Sequence, residues 1–167
     1  LLVPEDSVTW EFIGGEPLLE IELIDRIIDY ARTRAYELDH PWYHSYFCSL
    51  TTNGMLYGEP RVQDFLSKHE RHVGISITID GPEHVHDSQR ITRQGLGSYR
   101  QVVQNVGLWL ERYPKASTKV TVAHETLPYV AESILHLFEL GIREIHSNVV
   151  FEDVWEEGDD LVLEQQL

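Results

Sequence analysis

Short apolar runs alternate with longer amphipathic stretches along the whole chain. Val8 to Ile13 is brief, β-branched and aromatic, which predicts a strand. Ile21, Leu23, Ile24, Ile27, Ile28 and Ala31 recur at helical spacing, so a helix is expected over about residues 19–38. Tyr46 to Thr51 predicts a second strand, Asn53-Gly54 a turn, and Pro60 with Val62, Phe65 and Leu66 a short helix. Val73 to Ile79 alternates strongly and reads as a strand closed by Asp80-Gly81-Pro82. A polar, histidine-rich loop is expected from Glu83 to about Gly97. Tyr99, Val102, Val103, Val106, Trp109 and Leu110 form the next helical stripe, which Pro114 ends. Lys119 to His124 predicts a strand, Pro128 to Leu140 a helix capped by Gly141, and Ile142 to Phe151 contains a last strand. The acidic stretch from Glu152 to Leu167 reads as a linker, lid or edge leading away from a core over residues 1–151.

Five strands separated by helices predict a parallel α/β layout, because a crossover helix covers the sheet face. A Rossmann-like sheet and a β/α barrel both satisfy the pattern. Neither G-x-G-x-x-G nor a Walker phosphate loop is present, so the common nucleotide signatures are missing.

Charge and cysteine content narrow the partners. The 167 residues carry 13 Lys plus Arg against 28 Asp plus Glu, a formal net charge of -15, which disfavours a nucleic-acid backbone. One cysteine, Cys48, excludes a disulfide within the chain and any multi-cysteine metal site, and suits a reducing cytoplasm. No apolar run is long enough to span a membrane.

In α/β folds, ligands sit at the C-terminal ends of strands. At those ends the chain places Gly14-Gly15-Glu16-Pro17, then Thr51-Thr52-Asn53-Gly54, then Ser76, Thr78, Asp80 and Gly81. His84, His86, Asp87 and Arg90 lie in the loop beyond, His124, Glu125 and Thr126 after the fourth strand, and Ser147 and Asn148 in the fifth. Period two would point Ser76, Thr78 and Asp80 to one side of their strand. Each has a plain structural reading as well. Two glycines make a turn, Glu16 caps a helix where its dipole favours an acid, and Pro17 suits an early helical position. Asn53-Gly54 and Asp80-Gly81 are ordinary turn pairs. Cys48, Tyr99 and Trp109 read as core packing. His84, His86 and Asp87 have ligand chemistry, yet no clear third strong partner for a metal. Arg90 has the rigid fork that clamps a carboxylate.

Taken in this order, Gly14-Gly15-Glu16-Pro17, Thr51-Thr52-Asn53-Gly54 and Ile79-Asp80-Gly81-Pro82 with His86, Asp87 and Arg90 resemble the radical S-adenosylmethionine superfamily. The likeness is to its branch that modifies peptides and proteins, which includes anaerobic sulfatase-maturating enzymes. The resemblance implies a partial (β/α)6 barrel, of which this chain would supply about five strands. It implies that the Gly14-Gly15 backbone and Glu16 meet the methionyl amino group of S-adenosylmethionine, and that Arg90 holds its carboxylate. Thr78 would touch the cofactor, Asn53 and Asp80 would shape the pocket, and His124 and Asn148 would face adenosine or substrate. It further implies a parent enzyme in which a [4Fe-4S] cluster and S-adenosylmethionine generate a 5'-deoxyadenosyl radical that modifies a peptide or protein.

The defining C-x-x-x-C-x-x-C is not in the sequence, and only 13 residues precede Gly14. Iron–sulfur ligation needs thiolates. The expectation is therefore an excised core, inactive by itself, that holds no cofactor tightly and self-associates through the sheet edge left uncovered. A cluster-free small-molecule-binding α/β domain and a purely structural module are the alternatives. The sequence assigns no catalytic acid or base, although Asp87 and His124 have the chemistry for one.

Overall fold

The computed structural model describes residues 7–152 and 154–166, which cluster into two compact units. The first holds residues up to Thr52 together with Leu56–Ser76, and the second holds Asn53–Met55 and the residues from Ile77 onward.

In the first unit, β1 (Val8–Phe12) runs parallel to β2 (Tyr46–Thr52), in register from Val8 opposite Tyr46 to Phe12 opposite Leu50. The third strand, β3 (Val73–Ile77), lies on the other side of β2, giving the order β1-β2-β3. Alternate residues of β2, Tyr46, Cys48, Leu50 and Thr52, are buried. Between β1 and β2 runs α1 (Ile21–Glu37), which buries Ile21, Ile24, Ile28 and Ala35. Its apolar stripe is narrower than the spacing implies, for Leu23 and Ile27 remain 42% exposed. Between β2 and β3, α2 (Pro60–Lys68) buries Val62, Phe65 and Leu66, the i, i+3, i+4 set expected of a helix with one covered face.

In the second unit, α3 (Glu83–Gln89) and α4 (Tyr99–Arg112) precede β4 (Ser117–Val122). A tight helical turn, His124–Tyr129, leads into α5 (Val130–Glu139), followed by β5 (Glu144–Val149) and α6 (Asp159–Gln166). The strands β4 and β5 are parallel, from Ser117 opposite Glu144 to Val122 opposite Val149. Trp109 of α4 is fully buried, a packing residue as its position implies.

The structure departs from the expected layout at four points. Among the described residues the five strands form a three-stranded and a two-stranded sheet rather than one sheet. The third strand stops at Ile77, where the Thr118 hydroxyl donates to the Ile77 carbonyl (2.7 Å) and accepts from Ile79 N–H (3.0 Å), taking the place of ladder partners. The histidine-rich loop contains α3, which starts after Pro82 with Glu83 in its first turn, where the helix dipole favours an acid. The acidic stretch at the end also carries a helix, α6, which packs against α5 and the His124–Tyr129 turn.

Candidate functional site

The turn after β1 is built from backbone that only glycine adopts easily. Gly14 and Gly15 have φ of +93° and +54°, and a Cβ on either would meet nothing within 4 Å. They are glycines for conformation rather than crowding, and the turn faces open space. It borders a cavity of about 420 Å³ lined also by Phe12, Pro17 and Ile24. Glu16 is the N-cap of the helical turn Pro17–Glu20, and its Oε1 accepts from Leu18 N–H at 3.0 Å. The same oxygen accepts from the Thr52 hydroxyl at 2.5 Å, so the end of β2 positions the carboxylate that follows β1. Thr52 sits inside the Thr51-Thr52-Asn53-Gly54 block, and its role was the part of that block that spacing alone did not single out.

The turns of the second unit are closed. Asn53 Oδ1 accepts from Met55 N–H at 2.9 Å, and Asn105 Nδ2 donates to the Gly54 carbonyl at 2.8 Å. A Cβ on Gly54, whose φ is +78°, would lie 2.5 Å from Ile77 Cγ2. At Gly81, φ +146°, a Cβ would collide with Ser133.

Asp80 has a fully buried side chain at the centre of a hydrogen-bonded cluster. Arg90 Nε donates to Asp80 Oδ2, one Arg90 Nη approaches Oδ1 at 3.4 Å, and Thr121 N–H donates to Oδ1 at 2.9 Å. The guanidinium fork therefore grips a carboxylate of the chain itself, and Arg90 retains further N–H donors beyond those turned to Asp80. His86, also fully buried, accepts from Asp80 N–H through Nδ1 (3.4 Å) and meets Ser98 Oγ through Nε2 (3.0 Å). The Ser98 hydroxyl donates to the Arg90 carbonyl at 3.1 Å, which assigns the Nε2–H tautomer to His86. Burial pushes the His86 pKa down, keeping the ring neutral as that pattern requires. Asp87 Oδ1 accepts from Tyr99 N–H at 2.8 Å at the start of α4, which commits it to the fold. His84 is exposed and lies 3.7 Å from Glu132. His84, His86 and Asp87 thus serve three different partners.

The period-two alignment of Ser76, Thr78 and Asp80 does not persist past the strand. Ser76 is half-buried within β3 and grouped with the first unit, whereas Ile77 to Asp80 are all buried and grouped with the second. Asn148 is exposed in β5. His124 starts the turn after β4, and its Nδ1 lies 3.0 Å from both oxygens of Asp159. The Asp159 hydrogen bond raises the His124 pKa against a smaller effect of desolvation, and the hydrogen bond that Asp159 accepts from Glu156 N–H, with a smaller contribution from His124, lowers that of Asp159. Next to this pair lies an apolar cavity of about 500 Å³ at the C-terminal ends of β4 and β5. Sequence spacing gives no sign of the Asp159 partnership or of the cavity, because 35 residues separate His124 from Asp159.

Two further groups bear on metals. Cys48 is fully buried and its thiol is pushed up to about 12 by burial, so it does not fit a cluster thiolate. Among the described residues, Asp25, Asp29 and His69 bring ligand atoms within 4.8 Å of one another. The Lys68 ammonium lies 2.7 Å from each of Asp25 and Asp29, so a lysine cation already supplies the positive charge there. Burial acts to raise the Asp25 pKa, but hydrogen bonds from Lys68 and His69 outweigh it and hold the carboxyl below its ordinary value. No described helix is long and apolar enough to cross a membrane.

No family model matches the chain. It is 26% identical over 139 residues to the cysteine-type anaerobic sulfatase-maturating enzyme of Clostridium novyi, covering 81% of this chain and 34% of that protein. It is 25% identical over 139 residues to the radical SAM cyclopropyl synthase TigE of Paramaledivibacter caminithermalis, covering 79% of this chain and 26% of that protein. The chain therefore spans about a third or less of these relatives. It shares its fold with the solved structure of native anSMEcpe with bound AdoMet and Kp18Cys peptide, at a TM-score of 0.74 and 22% identity, over 92% of this chain and 40% of that one. By sequence the chain is thus similar to a cysteine-type anaerobic sulfatase-maturating enzyme and to a radical SAM cyclopropyl synthase, and the fold it shares with native anSMEcpe agrees with that similarity.

Proposed function

We propose that this chain is part of the core of a radical S-adenosylmethionine enzyme that modifies a peptide or protein, built as a partial (β/α)6 barrel. The observation that carries the reading is the turn after β1. Two glycines in the left-handed region open onto a cavity, and the carboxylate beside them is anchored by Thr52. A carboxylate and bare backbone suit the ammonium end of an amino-acid-like ligand, since each buried polar group of the ligand then finds a partner. Gly14, Gly15, Glu16 and Pro17 would hold that end. The resemblance gives Arg90 the ligand carboxylate, Thr78, Ser76, Asn53 and Asp80 the shaping of the pocket, and His124 and Asn148 the adenosine or substrate. Each of these assignments is testable by its own substitution.

When bound, S-adenosylmethionine supplies hydrogen-atom abstraction after one-electron cleavage, and the protein supplies orientation and exclusion of water. Cys48, buried and with its thiol pKa pushed up, does not fit the cluster, and the cluster thiolates of the whole enzyme would come from elsewhere. In their absence the chain is expected to bind the cofactor weakly and to be inactive alone. Support for a peptide substrate comes from the relatives, including the peptide-bound structure of anSMEcpe.

The test is an NMR-detected titration of the chain with S-adenosylmethionine. Glu16→Gln is expected to weaken binding about tenfold, roughly 1.4 kcal/mol, with the fold unchanged. Equal binding by wild type and Glu16→Gln contradicts the assignment.

A further inference from the structure

We propose that the cavity at the ends of β4 and β5 receives a large apolar side chain from a peptide in which the neighbouring residues are basic. This rests on the peptide-substrate reading above and adds the class of peptide.

The cavity has two kinds of wall. Val122 and Val149, the last residues of β4 and β5, form its floor with Leu127, and Trp155 and Leu163 line it further. At about 500 Å³ it lies within the ~300–1,000 Å³ typical of ligand sites, and the C-terminal ends of parallel strands are where such sites form. Its other wall is the turn Glu156-Glu157-Gly158-Asp159-Asp160, which brings four carboxylates to an apolar opening.

That turn is fixed in place. Asp159 Oδ2 accepts from Glu156 N–H at 2.8 Å, and both Asp159 oxygens meet His124 Nδ1 at 3.0 Å. Trp155 Nε1 donates to the Val150 carbonyl at 2.9 Å, which holds the indole by the floor. Asp159 is therefore committed to the protein, whereas Glu156, Glu157 and Asp160 are exposed at the rim. Apolar walls favour a large aliphatic or aromatic side chain, because affinity there scales with the apolar area removed from water. Acidic rim groups favour cationic neighbours and repel acidic ones, and the excess of 28 acidic over 13 basic residues adds to that bias at longer range. A bare cation would leave the floor wet, and an acidic peptide would meet the rim unfavourably. An apolar residue flanked by Lys or Arg satisfies both walls.

Fluorescence anisotropy with three labelled five-residue peptides tests this. Their central residues are Lys-Phe-Lys, Lys-Ala-Lys and Glu-Phe-Glu. The first is expected to bind at least about tenfold more tightly than either of the others, and to weaken several-fold as salt rises from about 50 to about 300 mM. The triple variant Glu156→Gln, Glu157→Gln, Asp160→Asn, all at exposed positions, is expected to remove the preference for Lys over Glu. Val149→Trp, at a half-exposed position, is expected to remove the preference for Phe over Ala by filling the floor. Equal binding of the three peptides, or an unchanged charge preference in the triple variant, overturns the proposal. S-adenosylmethionine is titrated in parallel. Peptide preference without cofactor binding keeps this inference and removes the cofactor reading. Cofactor binding without peptide preference, or mutual exclusion of cofactor and basic peptide, overturns this inference and leaves the cofactor reading in place.

Discussion

The turn after β1 and the turns at Gly54 and Gly81 use the same residue for opposite purposes. All four glycines, Gly14, Gly15, Gly54 and Gly81, have positive φ. At Gly54 and Gly81 a side chain would strike Ile77 or Ser133, so glycine there permits close packing. At Gly14 and Gly15 nothing stands nearby, so glycine permits only a backbone shape. Backbone shape retained with open space above it is what a binding turn needs, whereas a crowded glycine is explained by the fold alone. The glycine count in a motif does not separate these two uses; the surroundings do.

The largest effect is expected in the closed region. Asp80→Asn leaves Arg90 facing a neutral amide inside the cluster, and should cost about 3 kcal/mol in chemical denaturation. A loss under about 1 kcal/mol would mean that Asp80 is not the keystone of the second unit. Gly54→Ala adds a clash to an unfavourable φ and should cost about 2 kcal/mol, again read by denaturation. Gly15→Ala meets only the φ penalty, about 1 kcal/mol, yet should weaken S-adenosylmethionine binding more than any substitution in the closed turns. If Gly15→Ala proves as costly as Gly54→Ala, the contrast between open and closed turns fails.

The smallest effect concerns pH. His124 has a raised pKa, so its pairing contributes fully below the ordinary value of 6.5 and is lost as pH rises through the raised value. Asp159 has a lowered pKa, so its contribution is present above 3.8 and lost as pH falls through the lowered value. Glu156 and Glu125 also face His124 and act in the same direction on it. Amide exchange across α6 should therefore be slowest near pH 5 and faster above pH 8 after correction for intrinsic rates. His124→Gln should flatten that difference.

The strands and the long helices followed from apolar spacing, because each buries one face. The approximate limits of α1, α2, α4 and β2 are readable for that reason. The segment over α3 is not, since Val85 is its only aliphatic residue and the helix is held by His86, whose buried ring looks polar in sequence. Likewise α6 has acidic residues beside its apolar ones and buries none fully. The end of β3 depends on one hydroxyl, Thr118, 41 residues from Ile77. The three blocks Gly14-Gly15-Glu16-Pro17, Thr51-Thr52-Asn53-Gly54 and Asp80-Gly81-Pro82 mark where turns follow strands. They do not reveal that Thr52 anchors Glu16 or that Arg90 grips Asp80, because those links join groups brought together only by folding.

The most direct measurement follows backbone amide shifts of ¹⁵N-labelled chain as S-adenosylmethionine is added. Saturable shifts at Gly14, Gly15 and Glu16, abolished in Gly15→Ala without loss of the folded spectrum, are the expected result. Shifts absent from these three amides at saturating cofactor, or unchanged in Gly15→Ala, would contradict the binding role of the turn.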